Sequence, residues 1–175
     1  SIIGNSRQDA KADTFKPLFG GSSGTPAQQK YYKAFREKYH QITSTQQGWV
    51  QDVLSTKELE TITGLKFYWP DTKMLASGYI TNNESIHNYP IQSFATADII
   101  PVGVVYQWHR MKAQELESFM VNTRHDSTIT EVHPDEEELY KQIVVQAFTE
   151  DLVDYLDNVY DIQFNVPLGV GMKLS

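Results

Sequence analysis

Cysteine is absent from this sequence of 175 residues. Its absence excludes disulfide bonds, thiolate metal sites and cysteine nucleophiles, and it is neutral about the cellular compartment. No apolar run is long enough to span a bilayer, and no signal peptide is recognisable. We therefore expect a cytoplasmic protein without membrane contact. Internal repeats and low-complexity tracts are also missing, so one globular domain is the default expectation.

Charge is unevenly distributed along the chain. The net charge of −7 argues weakly against a free-standing nucleic-acid-binding protein. Residues 27–38, however, carry four cations and a single acid, whereas acidic side chains concentrate after residue 114. A basic first part and an acidic last part can coexist in a DNA-handling protein whose acidic part faces solvent, so charge leaves the question open.

The opening residues predict a helix with a distinctive face. Asn5 or Ser6 can cap it, and Arg7, Lys11 and Phe15 follow at four-residue steps. At 3.6 residues per turn this spacing places two cations and a ring along one face, which suits a triphosphate and a nucleobase or sugar. From spacing alone, a solvated cationic face with a core phenylalanine is the more frequent explanation.

Two further helices are predicted before residue 56. Thr25-Pro26 reads as a cap followed by proline in the first turn, and the helix continues to about Tyr39. Another helix is predicted over residues 44–55, with Trp49 among its apolar side chains. The aromatic residues among the lysines of the first of these helices could contact nucleic acid, but amphipathic core packing is the commoner explanation.

The middle of the chain changes to a β pattern and then returns to helix. Residues 61–71 predict a hairpin, and residues 74–80 an irregular strand. Pro90 is predicted to start a turn or a first helical turn, followed by a long apolar helix to about Lys112. Pro101 lies inside that helix and is expected to kink or split it.

The last third predicts a second hairpin whose turn carries a histidine and a carboxylate. Residues 119–124 and 127–132 read as strands, with His125-Asp126 between them. An acidic helix start follows at His133, where acid meets the positive end of the helix dipole. One helix or a helix pair is expected there, and a final strand over residues 164–173.

Three segments, in this order, resemble family A DNA polymerases of the bacterial polymerase I type. Arg7-x3-Lys11-x3-Phe15-x3-Phe19-Gly20 resembles motif B, the nucleotide-gripping helix of the fingers. Asn88-x-Pro90-x-Gln92 resembles the Asn-x-Pro-x-Gln segment of that family, and His125-Asp126 resembles motif C, the palm hairpin. The resemblance implies an α+β fold: the C-terminal part of a polymerase right hand, with helical fingers over residues 1–58 and part of the palm over residues 59–175.

The motif B resemblance implies contacts to the incoming dNTP. Arg7 and Lys11 would bind the β and γ phosphates, since fixed cations stabilise charge in phosphoryl transfer. Lys11 would also be a proton donor to the leaving pyrophosphate. Phe15 would pack against the sugar and base, and Phe19 and Gly20 would lie beside the templating base.

The other two motifs imply contacts to primer-template DNA and metal. Asn88 and Gln92 would hydrogen-bond minor-groove acceptors that all correct base pairs present. His125 would hold the primer terminus, and Asp126 would bind the two catalytic Mg²⁺ ions. Helix capping by Asn88 and Gln92, and an ordinary polar turn at His125-Asp126, are the structural alternatives.

One motif of the family has no counterpart in this sequence. The second metal-binding carboxylate belongs to motif A, an Asp-x-Ser-x-x-Glu strand, which is missing. The chain is therefore expected to act with an N-terminal polymerase fragment, as one piece of a split protein. Ser1 would suit the residue left by intein splicing, and a split gene, a proteolytic cut or an upstream segment missing from this sequence would explain the break as well.

Departures within the motifs leave two alternatives open. Ser127 stands where most of the family has glutamate, and single-subunit phage RNA polymerases also have serine there. The segment from Asn88 onward and the missing hydroxyl at Phe19 favour the DNA polymerase.

Lys16-Pro17 is unusual after Phe15 and favours a phage or viral origin, hence the host cytoplasm. A non-catalytic DNA-binding module is the other alternative, although such a module does not need both a triphosphate grip and a metal ligand.

Overall fold

A computed structural model describes residues 6–21 and 23–173, apart from the side chains of residues 7, 8, 9 and 12. Asn5, one of the two predicted caps, and Ser1 lie outside the described residues. Helices dominate, and the strands form two separate two-stranded antiparallel sheets, which confirms the predicted α+β class. The helices are α1 Arg7–Leu18, α2 Pro26–Lys38, α3 His40–Thr56, α4 Asn83–Ser93, α5 Ile100–Ala113, α6 Glu137–Gln146 and α7 Leu152–Tyr160, and the strands are β1 Glu58–Glu60, β2 Lys66–Tyr68, β3 Phe119–Arg124 and β4 Ser127–Glu131.

The chain divides into two compact units, one up to Ile91 and the other from Gln92 onward. This division falls within α4, later than residue 58. The assignment of residues 1–58 to fingers and 59–175 to palm concerns functional parts of a polymerase and stays a prediction.

The core of the first unit lies between α3, the first hairpin and α4. Its centre consists of buried aliphatic side chains and the indole of Trp69. The Trp69 ring nitrogen donates a hydrogen bond to Ser85 Oγ on α4 at 3.2 Å, so the polar edge of this ring is satisfied at the rim of the core. The buried members are Val50, Val53, Leu59, Trp69 and Ile86, with Trp49, Leu54, Phe67 and Ile80 packed partly against them.

The start of α2 has the cap that its sequence predicts. Thr25 Oγ1 accepts a hydrogen bond from Gln28 N, and Gln28 Oε1 accepts one from Thr25 N at 2.9 Å. This reciprocal pair is a capping box, and Pro26 occupies the first turn, where its missing N–H costs nothing. The predicted start of α2 at Thr25-Pro26 is therefore confirmed.

The second unit packs α5 against α6 and α7. An ion pair joins them on one side, where Arg110 Nη2 donates to Asp151 Oδ1 at 2.7 Å and Nη1 donates to Gln146 Oε1 at 2.9 Å. The hydrogen bonds that Arg110 donates to the Asp151 carboxylate hold the pKa of Arg110 above its ordinary value. Two π-helical segments, Phe94–Ile99 and Ala147–Asp151, precede α5 and α7, and the predicted interruption near Pro101 takes the form of this change of helix type.

Four sequence predictions differ from the structure. The first hairpin, predicted over residues 61–71, has its strands at Glu58–Glu60 and Lys66–Tyr68, so residues 61–65 form its turn. Pro90 lies buried inside α4 and does not start a helix; the neighbouring buried residues Ile86 and His87 anchor the helix, so packing outweighs the lost hydrogen bond. Residues 74–80 form only a single bridge between Met74 and Ile80. Residues 164–173 form no strand, because an extended segment needs a neighbouring strand to satisfy its backbone groups, and none pairs with it in the described part of the chain.

Gly103 on α5 packs closely against the ring of Phe148 within the second unit. A Cβ atom at this position would lie 2.3 Å from Phe148 Cε1 and 2.4 Å from Cδ1. We expect Gly103→Ala to lower the free energy of unfolding by about 1–3 kcal/mol, because overfilling a packed site costs that much. The control is Gly48→Ala on α3, where a Cβ would meet nothing within 4 Å, so that helix propensity should raise stability by about 0.5–1 kcal/mol. Urea unfolding of both variants measures the difference, and a destabilisation of equal size would contradict the packing argument.

Candidate nucleotide and DNA site

Helix α1 is held on α2 by one of its acidic side chains. Asp13 Oδ1 accepts hydrogen bonds from Gln28 Nε2 at 2.8 Å and from the Tyr32 hydroxyl at 3.2 Å. The Tyr32 side chain is completely buried, and its burial together with Asp13 raises the pKa of its hydroxyl. This contact fixes which side of α1 faces α2 and leaves the side chains of Lys11 and Phe15 exposed.

Lys11 and Phe15 on the predicted face of α1, and Phe19 directly after the helix, form a line of one cation and two rings. Lys11 Nζ lies 5.4 Å from the centroid of the Phe15 ring. The Phe15 and Phe19 rings stack, with centroids 5.8 Å apart and planes inclined by 18°. A cation within about 6 Å of a ring centroid is attracted by the negative face of the ring. Arg7 is the first residue of α1, but its side chain lies outside the described residues.

The C-terminal end of α1 turns through a left-handed glycine. Gly20 has φ +82°, and a Cβ there would lie 2.2 Å from His87 Nδ1 and 3.0 Å from Asn83 Nδ2. The backbone of Gly20 thus lies directly against α4, at His87 next to Asn88 and at Asn83. No side chain other than hydrogen fits between these two segments.

A cleft of about 620 Å³ opens beside this contact within the first unit. Most of its polar lining consists of side-chain amides, with a single guanidinium. Amides both donate and accept hydrogen bonds, so the lining matches a ligand with mixed polar edges better than a compact anion. The lining residues are Pro17, Gly20, Arg36, Thr43, Gln46, Gln47, Gly48, Val50, Gln51, Ile80, Asn83 and His87.

His87 is the residue of this region that sequence analysis missed. Its side chain is only 8% exposed, and neither ring nitrogen has a hydrogen-bond partner among the described residues. Burial lowers the pKa of the imidazole, because the charged form is poorly solvated there. Its position under Gly20 depends on how two distant segments pack, and no spacing in the sequence marks it.

Asn88 and Gln92 lie four residues apart on α4, so both point to one side of the helix. Asn88 is half-buried and Gln92 is exposed. The Asn88 Oδ1 atom is buried without a hydrogen-bond partner among the described residues. Neither residue caps α4, which begins at Asn83, so the capping alternative is wrong.

The second unit presents His125 and Asp126 at the tip of the β3–β4 hairpin. Arg124 pairs with Ser127, so His125 and Asp126 form the whole loop. His125 takes a left-handed conformation with φ 54°. Both side chains are exposed. Ser127 Oγ donates a hydrogen bond to the Arg124 carbonyl at 2.9 Å, so the serine found where glutamate is usual closes the turn.

The helices and the two hairpins form a polymerase-like fold. Comparison of this chain with a protein-family model and with solved structures agrees with that class. The model of DNA polymerase family A matches residues 4–175, and the chain therefore belongs to that family. No match was found among curated protein sequences. Among solved structures the chain is similar to the POL domain of Pol1 from M. smegmatis, in complex with DNA primer-template and dNTP, with a TM-score of 0.71 and 22% identity over 93% of this chain. The chain spans 29% of the length of that solved chain. At this identity the likeness shows the fold alone.

Proposed function

We propose that this chain forms part of a template-directed DNA polymerase and supplies the grip on the incoming dNTP and one metal-binding carboxylate. The observation that carries the proposal is the line of Lys11 and Phe15 on α1 and Phe19 directly after it, a cation followed by two stacked rings. Membership of DNA polymerase family A supports it. So does the similarity to a structure that contains primer-template DNA and dNTP.

The reaction is the transfer of a nucleotidyl group. The primer 3′ oxygen forms a bond to the α-phosphorus of the dNTP, the bond from that phosphorus to the bridging oxygen breaks, and pyrophosphate leaves. The 3′ hydroxyl loses its proton, and the pyrophosphate gains one. Arg7 and Lys11 would neutralise the β and γ phosphates, and Lys11 would donate the proton to the leaving group.

The roles proposed for the other residues come from the resemblance to family A DNA polymerases. Phe15 would stack against the sugar and base, and Phe19 with Gly20 would border the templating base. Asn88 and Gln92, on one side of α4, would reach minor-groove acceptors. His125, exposed at the hairpin tip, would contact the primer terminus.

Asp126 fits one oxygen ligand of Mg²⁺, since hard cations prefer carboxylate oxygens and this carboxylate is exposed at a turn. When bound, the ions would neutralise charge on the phosphates and orient them. The described residues contain no group of three His, Asp or Glu side chains able to hold a metal. We therefore propose that the second carboxylate belongs to polymerase residues outside this chain.

The origin of the polymerase is a finer point of the same proposal. The unusual Lys16-Pro17 within α1 supports a phage or viral polymerase. No helix in the described part of the chain is long and apolar enough to cross a membrane.

Incorporation of dNTP and rNTP by the polymerase that contains this chain tests the proposal against RNA synthesis. We expect extension of a DNA primer by one complementary dNTP, and at least about a hundredfold weaker use of the matching rNTP, since rejecting one hydroxyl in a fitted site can contribute that factor. A single-turnover assay measures both rates. Preferred use of rNTP would establish the RNA polymerase alternative, and no incorporation of either would favour the non-catalytic DNA-binding module.

A further inference from the structure

The side chain of Gln107 on α5 is a fully buried amide, with 0% exposure. Its Nε2 lies 3.2 Å from the Tyr140 hydroxyl and 3.4 Å from Thr130 Oγ1. Its Oε1 accepts a hydrogen bond from Thr128 Oγ1 at 3.4 Å. A buried amide is costly unless both of its ends are hydrogen-bonded, and here three hydroxyls from two different elements satisfy it.

Two of these hydroxyls belong to the hairpin that carries Asp126. Thr128 and Thr130 lie two residues apart on β4, so they project from one face of the hairpin toward α5. Thr128 is two residues after Asp126, which makes it the first inward-facing residue beyond the turn. The amide of Gln107 is thus attached to the strand next to its functional end.

A bulge in β3 makes the direction of the turn sensitive to the attachment between Gln107 and β4. The pairing changes between Met120, opposite Thr130, and Asn122, opposite Ile129, so Val121 is an extra residue on β3. Bulges increase local twist and redirect the side chains beyond them. The direction of the turn therefore depends on how β4 is held on each side of this irregularity.

A separate set of hydrogen bonds holds the open end of the hairpin. Glu136 accepts hydrogen bonds from the backbone N–H groups of Glu117 at 2.8 Å and Ser118 at 2.9 Å. Ser118 Oγ also donates to Glu136 and accepts from His133 N at 2.9 Å. The bond from Ser118 is the main reason why the pKa of Glu136 is lowered. The base of the hairpin is therefore anchored independently of Gln107, which leaves Gln107 to control the distal half.

We propose that Gln107 is a positioning residue for Asp126: its amide fixes the distal half of β4 on α5 and so sets the orientation of the His125-Asp126 turn. The inference rests on the proposed polymerase function. The competing explanation is that Gln107 only stabilises the core of the second unit.

The chain offers a matched pair of variants that separates these explanations. Thr128→Val together with Thr130→Val removes the two hairpin partners of Gln107 with little change in volume. Tyr140→Phe removes its partner on α6 and leaves the hairpin partners in place. Both changes leave part of one buried amide without a partner, so both should lower the melting temperature, but only the first disconnects the hairpin.

The test uses the complete polymerase that contains this chain, at a temperature where every variant is folded. We expect Gln107→Leu and the double threonine variant to lower the maximal single-turnover rate of dNTP incorporation about 10- to 100-fold, because a displacement of about 1 Å can cost that much. The dNTP dissociation constant should change by less than about twofold, since the substitutions do not alter α1 or its proposed dNTP-binding side chains. Tyr140→Phe should keep the rate of the unsubstituted enzyme.

Amide hydrogen exchange gives a readout that does not depend on turnover. Exchange at Ser127 to Thr130 should become faster in Gln107→Leu and in the double threonine variant, and stay unchanged in Tyr140→Phe, because local opening reports the lost attachment. An unchanged incorporation rate in the double threonine variant, or an equal loss in Tyr140→Phe, would overturn the inference even if Gln107→Leu fails to fold. If the unsubstituted enzyme incorporates no dNTP, the proposed function itself fails, which is a distinguishable result.

Discussion

Asp126→Ala is expected to reduce dNTP incorporation by the assembled polymerase at least about a thousandfold. A metal-binding carboxylate contributes several kcal/mol to the stabilisation of the transition state, and each factor of ten corresponds to about 1.4 kcal/mol. The side chain is exposed at a two-residue turn, so its truncation should leave the fold and the melting temperature nearly unchanged. Primer-template affinity should be retained or slightly increased, since one negative charge is removed from beside the DNA.

Single-turnover primer extension and fluorescence anisotropy with labelled primer-template measure the two quantities separately. The matched control is Asp135→Ala, which removes the same charge from a carboxylate that is 93% exposed in the same unit. This control should extend the primer at the normal rate. Incorporation by Asp126→Ala within about tenfold of the unsubstituted enzyme would exclude Asp126 as an essential metal ligand, and an equal loss in Asp135→Ala would point to a general charge effect.

Gly20→Ala is expected to be the most destabilising small substitution in the first unit. Alanine in a left-handed conformation costs about 1–2 kcal/mol, and the added Cβ would lie 2.2 Å from His87 Nδ1. Overfilling a packed contact adds about 1–3 kcal/mol, so the loss in free energy of unfolding should reach about 2–5 kcal/mol. Urea unfolding, followed by circular dichroism, measures it.

Gly64 provides the control that separates backbone strain from the packing contact. Its φ is +87°, close to that of Gly20, but a Cβ there would meet nothing within 4 Å. Gly64→Ala should therefore show only the backbone cost of about 1–2 kcal/mol. Combining Gly20→Ala with His87→Ala should cost less than the sum of the two single changes, since the clashing ring is gone. Additive losses would show that the contact between Gly20 and His87 is unimportant.

Local sequence signals predicted the elements on which the candidate site is built. The helix start at Thr25-Pro26 follows from two adjacent residues, and the hairpin around His125-Asp126 follows from two β-rich runs separated by two residues. Such signals work because caps and short turns depend on groups that are neighbours in the chain. The four-residue spacing of Lys11 and Phe15 belongs to the same class, since both lie on α1 and one helix is enough to align them.

Predictions failed where the outcome depended on a partner elsewhere in the chain. Pro90 is a helix breaker by its own chemistry, yet it lies inside α4 because the neighbouring Ile86 and His87 are buried there. Residues 164–173 have a strand-like composition, but composition cannot supply the neighbouring strand that a sheet requires. In both cases tertiary context overrode local propensity.

By itself, the sequence determined the helical face of α1 and the hairpin turn with its carboxylate, because each depends on residue identity at short spacing. It also carried the resemblance to a polymerase family, which depends on three short motifs occurring in one order along the chain. Only the tertiary structure decided that Gly20 rests on His87, that Asp13 orients α1 on α2, and that Gln107 holds the strand behind Asp126. These contacts join segments far apart in the chain, and they arise because buried polar groups must find partners wherever packing places them.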